Sequence, residues 1–364
     1  MKKGPLRAAG AFLGAAAALG MLAAAQAPAM AASNAKAASN GGQQVVTGKG
    51  PKCAPAKPYN FSLRGALIGF SQSEPLSNPF RATESASIEA TAKAYGATVI
   101  QTNANFSGAK QLSDIEDLIS RGVKVLIVAP ELDNGLEAAW KDAASHHIPV
   151  FTIDRQTAGI NGKIPGGSTA CNDGYVTFAG SNFYQQGEEA ANYLVQATGG
   201  HATVAVLLGT LGNLVEVYRT QGFLAGLKGH PGMKVVAQQS GNFATTTGQT
   251  VMTSLLQAHP TINAVYSEND AMTYGAITAI KNAGKQPGKD IKLVTIDGTQ
   301  EGVQDIVSGE VFADVETNPR FGPLIFSQIQ QYLKGHAIYS QLIIKDHLFT
   351  RANASQALHS GIVY

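Results

Sequence analysis

The chain has 364 residues, 44% of them hydrophobic, which is length and apolar content enough for two cores. Lys and Arg number 27 against 25 Asp and Glu, a formal net charge of +2. That balance removes the electrostatic case for nucleic acid or for an anionic membrane surface as partner.

Residues 1–31 read as an export signal. Lys2, Lys3 and Arg7 make a basic start, Ala8 to Ala25 form a small-residue apolar stretch, and Ala29-Met30-Ala31 suits small-x-small cleavage. The alternative, a membrane anchor, fits less well with so short and Ala-rich a core. No other apolar run approaches the ~20 residues of a span. The expected location of the mature protein is therefore the periplasm. Cys53 and Cys171 are the two cysteines. An oxidising compartment favours their pairing, although two free thiols stay open because sequence does not fix their separation.

Residues 32–60, rich in Ala, Ser, Gly and Pro, are expected to form a flexible tail. From Leu63 the chain alternates. The pattern predicts strand 66–70, helix 81–95 stopping at Gly96, strand 97–101, helix 111–121, strand 123–129, helix 135–147 and strand 149–153. Such alternation signals a parallel sheet covered by helices on both faces. After a Gly/Ser/Asn-rich loop at 156–176 come strand 176–180 and helix 185–197. Strands at 203–208, 233–238, 262–267 and 291–296 then alternate with helices at 217–228, 246–258, 271–283 and 300–308. Strand 311–316, helix 322–334 and strand 341–345 complete the chain. The expected fold is α/β, with two similar doubly wound parallel-sheet lobes joined by a multi-strand hinge. Residues 61–180 with 319–340 would form the N-terminal lobe, and 181–318 with 341–364 the C-terminal lobe. Two such lobes in series are the build of a hinge-bending binder.

Catalytic signatures do not emerge. There is no Gly-x-Ser-x-Gly, His-Glu-x-x-His or Cys-x-x-Cys string. The glycines at 284–288 fall one spacer short of a phosphate loop, and Asp290 stands where Ser or Thr is needed. His146-His147 closes a helix before Ile148-Pro149, a place for capping rather than metal ligation. No enzyme, cofactor or metal is expected.

What stands out is polar and aromatic chemistry where strands end. Thr-Ile-Asp-Arg at 152–155 and Thr-Ile-Asp-Gly at 295–298 each close an apolar run on a carboxylate. Ligands of parallel sheets sit beyond the carboxyl ends of strands. Asn78, Phe80 and Arg81 follow the first strand, and Asp154 with Arg155 follows the fourth. In the second half Asn242, Phe243, Asn269, Asp270 and Asp297 hold similar places, with Glu74, Asn134 and Glu316 as lesser candidates. Carboxylates, amides and guanidinium forks bond vicinal hydroxyls in pairs, and Phe80 and Phe243 suit the C–H face of a sugar ring. Each has a blander role too: Asp154, Asp297 and Asn78 as caps or turn formers, the two Phe as core.

With Ser77-Asn78-Pro79-Phe80, Ile153-Asp154-Arg155-Gln156, Ser267-Glu268-Asn269-Asp270-Ala271-Met272 and Ile296-Asp297-Gly298-Thr299, the chain resembles the ribose-binding class of periplasmic sugar-binding proteins, of type I periplasmic binding fold. The resemblance implies ligand roles for Asn78, Phe80, Asp154, Arg155, Phe243, Asn269 and Asp297. It departs from the ribose pattern at Arg81, where a second aromatic is usual, at Ala129, at Val217 with Arg219 two positions on, and at Thr317. Arg81, Ala129, Gly69-Phe70-Ser71-Gln72 and Gln239-Ser240-Gly241-Asn242-Phe243 are more similar to the galactofuranose-binding branch. The resemblance thus implies a monomeric receptor for a hexose or furanose-type monosaccharide that serves an ABC permease in the inner membrane. A receptor feeding a chemotaxis or sensor-kinase partner is the alternative.

Overall fold

The computed structural model describes residues 44–160 and 173–364. The expected signal segment and Cys171 lie outside the described residues. Cys53 is buried and disulfide-bonded.

The first lobe is built on β2 (Leu67–Gln72), β3 (Thr98–Asn103), β4 (Val125–Val128), β5 (Val150–Ile153) and β6 (Thr177–Ser181), parallel and ordered β6-β5-β4-β2-β3. Its crossovers include α1 (Pro79–Tyr95), α2 (Gly108–Ser120) and α3 (Glu137–Ser145). β4 is Val-Leu-Ile-Val, buried at every position, as a strand covered on both faces must be. α1 starts where Asn78 accepts a hydrogen bond from the Phe80 amide at 3.0 Å, with Pro79 in the first turn, and stops at Gly96 in left-handed conformation.

The second lobe carries β7 (Ala202–Leu208), β8 (Met233–Ser240), β9 (Ala264–Ser267), β10 (Lys292–Asp297) and β11 (Ala313–Glu316), all parallel, with β13 (Leu348–Thr350) antiparallel at the edge. Its helices are α4 (Phe183–Thr198), α5 (Leu214–Gly226), α6 (Thr245–Ala258), α7 (Asp270–Asn282), α8 (Gln300–Ser308) and α10 (Ala354–Ser360). α9 (Gly322–Leu333) returns to pack on α1 in the first lobe. The chain changes lobe after β6, after β11 and after β12 (Ile338–Ile344), so three connections form the hinge. Ile68, Phe70, Ile88, Phe151 and Phe326 fill one face of the first sheet, and Val204, Val206, Tyr266 and Ile296 one face of the second. Burying each such side chain contributes about 1.5–3 kcal/mol.

Two expectations are corrected. Part of the supposed flexible tail is β1 (Val46–Cys53), which pairs antiparallel with β12 as an edge strand. Its Gly-Lys-Gly-Pro-Lys composition suits an edge exposed to water, where apolar alternation is not required. Residues 341–344 of β12 in turn pair with β6 of the first sheet. The change of lobe expected at 341 therefore falls after Ile344.

Candidate functional site

The carboxyl ends of the two sheets face each other across a small cavity of about 30 Å³, well below the ~300–1,000 Å³ common for small-molecule sites. Asn78, Phe80, Arg81, Asp154 and Arg155 line it from the first lobe, and Phe243, Asn269 and Asp297 from the second. Glu74, Val215, Arg219 and Thr317 complete the wall. Asn134 is exposed and Glu316 lies behind the cavity, the latter engaged with Asn318 and His347. The lobes touch beside the site: the Asn213 amide donates to the Glu131 carbonyl at 3.1 Å, and the Arg155 guanidinium lies 5.7 Å from the centre of the Phe243 ring. Groups from both lobes thus converge on one small volume.

Backbone geometry aims several of these side chains. Asp154 has φ 63° directly after β5, Asn242 and Phe243 have φ 53° and 55° after β8, and Asp297 has φ 144° at the end of β10. Such backbone conformations cost of the order of 1–3 kcal/mol for most non-glycine residues, less for Asn and Asp, and cluster at ligand sites. The Phe243 ring occupies the place of a side chain at position 209. A Cβ on Gly209 would sit 1.9 Å from its Cζ, so glycine is needed for the ring to reach the cavity. Asp154 and Asp297 cap no helix. Asn78 and Asn269 do, each accepting from a backbone amide at 3.0 Å, while their amide nitrogens donate to Glu74 and to the Phe243 carbonyl. Phe80 is both wall and core: its ring meets Tyr364 edge-on at 6.0 Å.

The polar wall is a closed ion network. Arg81 contacts Asp154 at 2.7 Å, Glu84 at 2.9 Å and Glu74 at 3.5 Å, and its guanidinium lies 4.8 Å from the centre of the Phe80 ring. Arg155 pairs with Glu74, with Glu131 at 3.1 Å and with Asp154 at 3.4 Å. Burial alone would raise Glu74, but the Arg155 and Arg81 guanidinium groups beside it hold its carboxyl below the usual range. Burial raises Glu84 and Glu131, which sit at the rim of the same network, against the pull of Arg81 and Arg155. In the second lobe Arg219 donates to Gln186 at 3.0 Å and to Thr317 at 2.7 Å and reaches Asp297 at 3.7 Å. Burial raises Asp297 well above the usual carboxylate range, with Arg219 opposing.

Arg219, Val215 and Thr317 were not among the site residues expected from sequence. Arg219 reaches the cavity because α4 and α5 pack unusually closely: a Cβ on Gly187 would lie 2.0 Å from the Arg219 carbonyl, and one on Gly222 would lie 1.9 Å from that of Tyr184. The paired glycines facing one another on successive helices were the available signal.

A family model for a periplasmic binding protein domain matches residues 68–337. The chain belongs to this family. It is 30% identical over 296 residues to the galactofuranose-binding protein YtfQ of Escherichia coli, covering 80% of this chain and 90% of that protein. It is 34% identical over 287 residues to the ribose import binding protein RbsB of Bacillus subtilis, covering 78% and 87%. Among solved structures, a Mycobacterium smegmatis protein in complex with β-D-fucofuranose superposes with a TM-score of 0.75 at 30% identity, covering 82% of this chain and 98% of that one. The two-lobed α/β architecture is that of the family.

Proposed function

We propose that the protein is an extracytoplasmic solute receptor that closes on one neutral monosaccharide in furanose form and presents it to the permease of an ABC importer. The observation that carries this reading is the charge balance of the cavity. Three arginines and three carboxyl groups line it, and each arginine lies within ion-pair distance of at least one of those carboxyls. The wall therefore offers directed donors and acceptors without an unpaired cation for an anionic ligand. Hydroxyl groups accept and donate at once and suit such a wall, and Phe80 and Phe243 cover the apolar faces of the ring. Arg81 then meets a sugar hydroxyl, not a sugar carboxylate. Closure follows because ligand contacts belong to both lobes and favour the state in which all are made.

A thermal-shift screen of the mature protein tests this reading. Neutral sugars such as D-fucose, D-galactose, L-arabinose and D-ribose, which populate furanose forms to different extents, are set against D-galacturonate. A sugar at a hundred times its dissociation constant adds ~2.7 kcal/mol, so at least one neutral sugar should raise the midpoint by several degrees. A response to the uronate alone, or to no sugar, would defeat the proposal.

A further inference from the structure

Behind Asp297, away from the ligand side, two carboxyl groups are buried together. Asp270 opens α7 and Asp314 lies on β11; both are fully buried, and their carboxyl groups lie side by side at Gly302. Position 302 is glycine: a Cβ there would fall 2.3 Å from Asp270 Oδ2 and 2.8 Å from Asp314 Oδ2. The space a side chain would take is given to the acid pair.

The pair holds the turn that follows Asp297. The Gly298 amide donates to both Asp314 oxygens, at 3.0 and 3.2 Å. The Thr299 amide and hydroxyl donate to Asp270 Oδ2 at 2.9 and 2.6 Å, and the Thr295 hydroxyl donates to Oδ1 at 2.9 Å. Two carboxylates in contact do not both ionise in a buried site. Three donors to Asp270 favour its ionised form, so the proton belongs on Asp314, which donates it to Asp270. We propose that Asp270 and Asp314 share one proton as a positioning pair, and that this proton pins the Gly298-Thr299 turn and so presents Asp297, at its φ of 144°, to the cavity.

The device is pH-sensitive by construction. Burial, followed by the charges of Asp270 and Asp297, raises Asp314 well above the usual carboxylate range, and burial also raises Asp270. Facing the pair are Asp297 from β10, Tyr274 from α7, Glu301 and Asp305 from α8 and Tyr364 from the segment after α10. Arg219 of α5 acts on Asp297. The folded state holds a proton that the unfolded chain has released at the same pH. The pinning is lost as pH rises through the folded value of the pair.

The test compares the full chain with Asp314→Asn and Asp314→Ala, using amide hydrogen-exchange protection at Gly298 and Thr299 without ligand. Asparagine donates to Asp270 and accepts from Gly298 with no proton to lose. Asp314→Asn should match the parent at about pH 6 and keep its protection into the alkaline range, where the parent's falls at least tenfold. Asp314→Ala should lose Gly298 protection at least tenfold at every pH. Identical pH profiles for the parent and Asp314→Asn, or intact Gly298 protection in Asp314→Ala, would overturn the proposal. Carboxyl carbon-13 titration of the parent decides it without any variant: two ordinary acidic titrations at Asp270 and Asp314 would also overturn it. The effect on sugar affinity rests on the receptor reading. If no sugar binds the parent, that reading fails while the amide and carboxyl measurements still decide the pair.

Discussion

Asp154 offers the most informative single perturbation. Its Oδ2 is taken by Arg81 at 2.7 Å and Arg155 at 3.4 Å, which leaves Oδ1 to accept from a ligand hydroxyl. A hydrogen bond to a charged group is worth ~1.5–3 kcal/mol and a neutral one ~0.5–1.5. Asp154→Asn keeps shape and tolerates the left-handed φ of 63° but removes the charge, so about 1–1.5 kcal/mol of binding should go, roughly five- to tenfold in affinity. Asp154→Ala removes the acceptor entirely and should weaken binding ~10- to 150-fold. It also places alanine at a φ that costs ~1–2 kcal/mol for residues other than Gly, Asn and Asp, which lowers the ligand-free melting midpoint. Arg81 keeps Glu74 and Glu84 in either variant, so the lobe stays folded. Calorimetric titration with the responding sugar reads affinity, and melting of the free protein reads strain. Affinity within twofold of the parent in Asp154→Ala would refute the assignment of this carboxylate to the ligand.

Other substitutions follow from the same network. Arg81→Phe, which restores the second aromatic usual in the ribose pattern, strips the cation from between Glu74, Glu84 and Asp154. Breaking such a buried pairing costs ~3–5 kcal/mol, so a large fall in melting midpoint is expected in place of a specificity change, and an unchanged midpoint would contradict the buried network. Glu268 accepts from the Gly209 amide and the Thr220 hydroxyl, both at 2.7 Å, and burial pushes it up from 4.5 to about 8. Its contribution to stability is whole below about pH 4.5 and is lost as pH rises through about 8. Urea melts should show that decline, and Glu268→Gln should flatten it; an equal slope in both proteins would rule Glu268 out. Exported, unreduced protein should carry no titratable thiol if Cys53 pairs with Cys171. That bridge closes a loop of about 120 residues, for which the chain-entropy model gives ~4–5 kcal/mol. Two reactive thiols would show the pairing absent.

The strand ends were legible because the chemistry changes abruptly there. Ile153-Asp154 and Ile296-Asp297 each step from a buried apolar run to a carboxylate, and their backbones carry the unusual φ values. Asn78 and Asn269 were harder to classify because each serves as a helix cap while lining the cavity. β1 was hidden because its partner, β12, lies at the far end of the chain and an edge strand needs little apolar alternation. Arg219 was set aside for standing two positions from the family's arginine, yet close α4–α5 packing turns it inward. The acid pair was invisible for a similar reason. Asp270 and Asp314 come from a helix start and a strand on separate parts of the second lobe, and only the folded sheet brings them together.

The central claim is that a sugar is held between the lobes by groups from both. Small-angle X-ray scattering of the mature protein, with and without a saturating concentration of the sugar that calorimetry shows to bind, tests it most directly. The account predicts a smaller radius of gyration with sugar, as the lobes close on the arginine and carboxylate wall. An unchanged radius at proven saturation would contradict it.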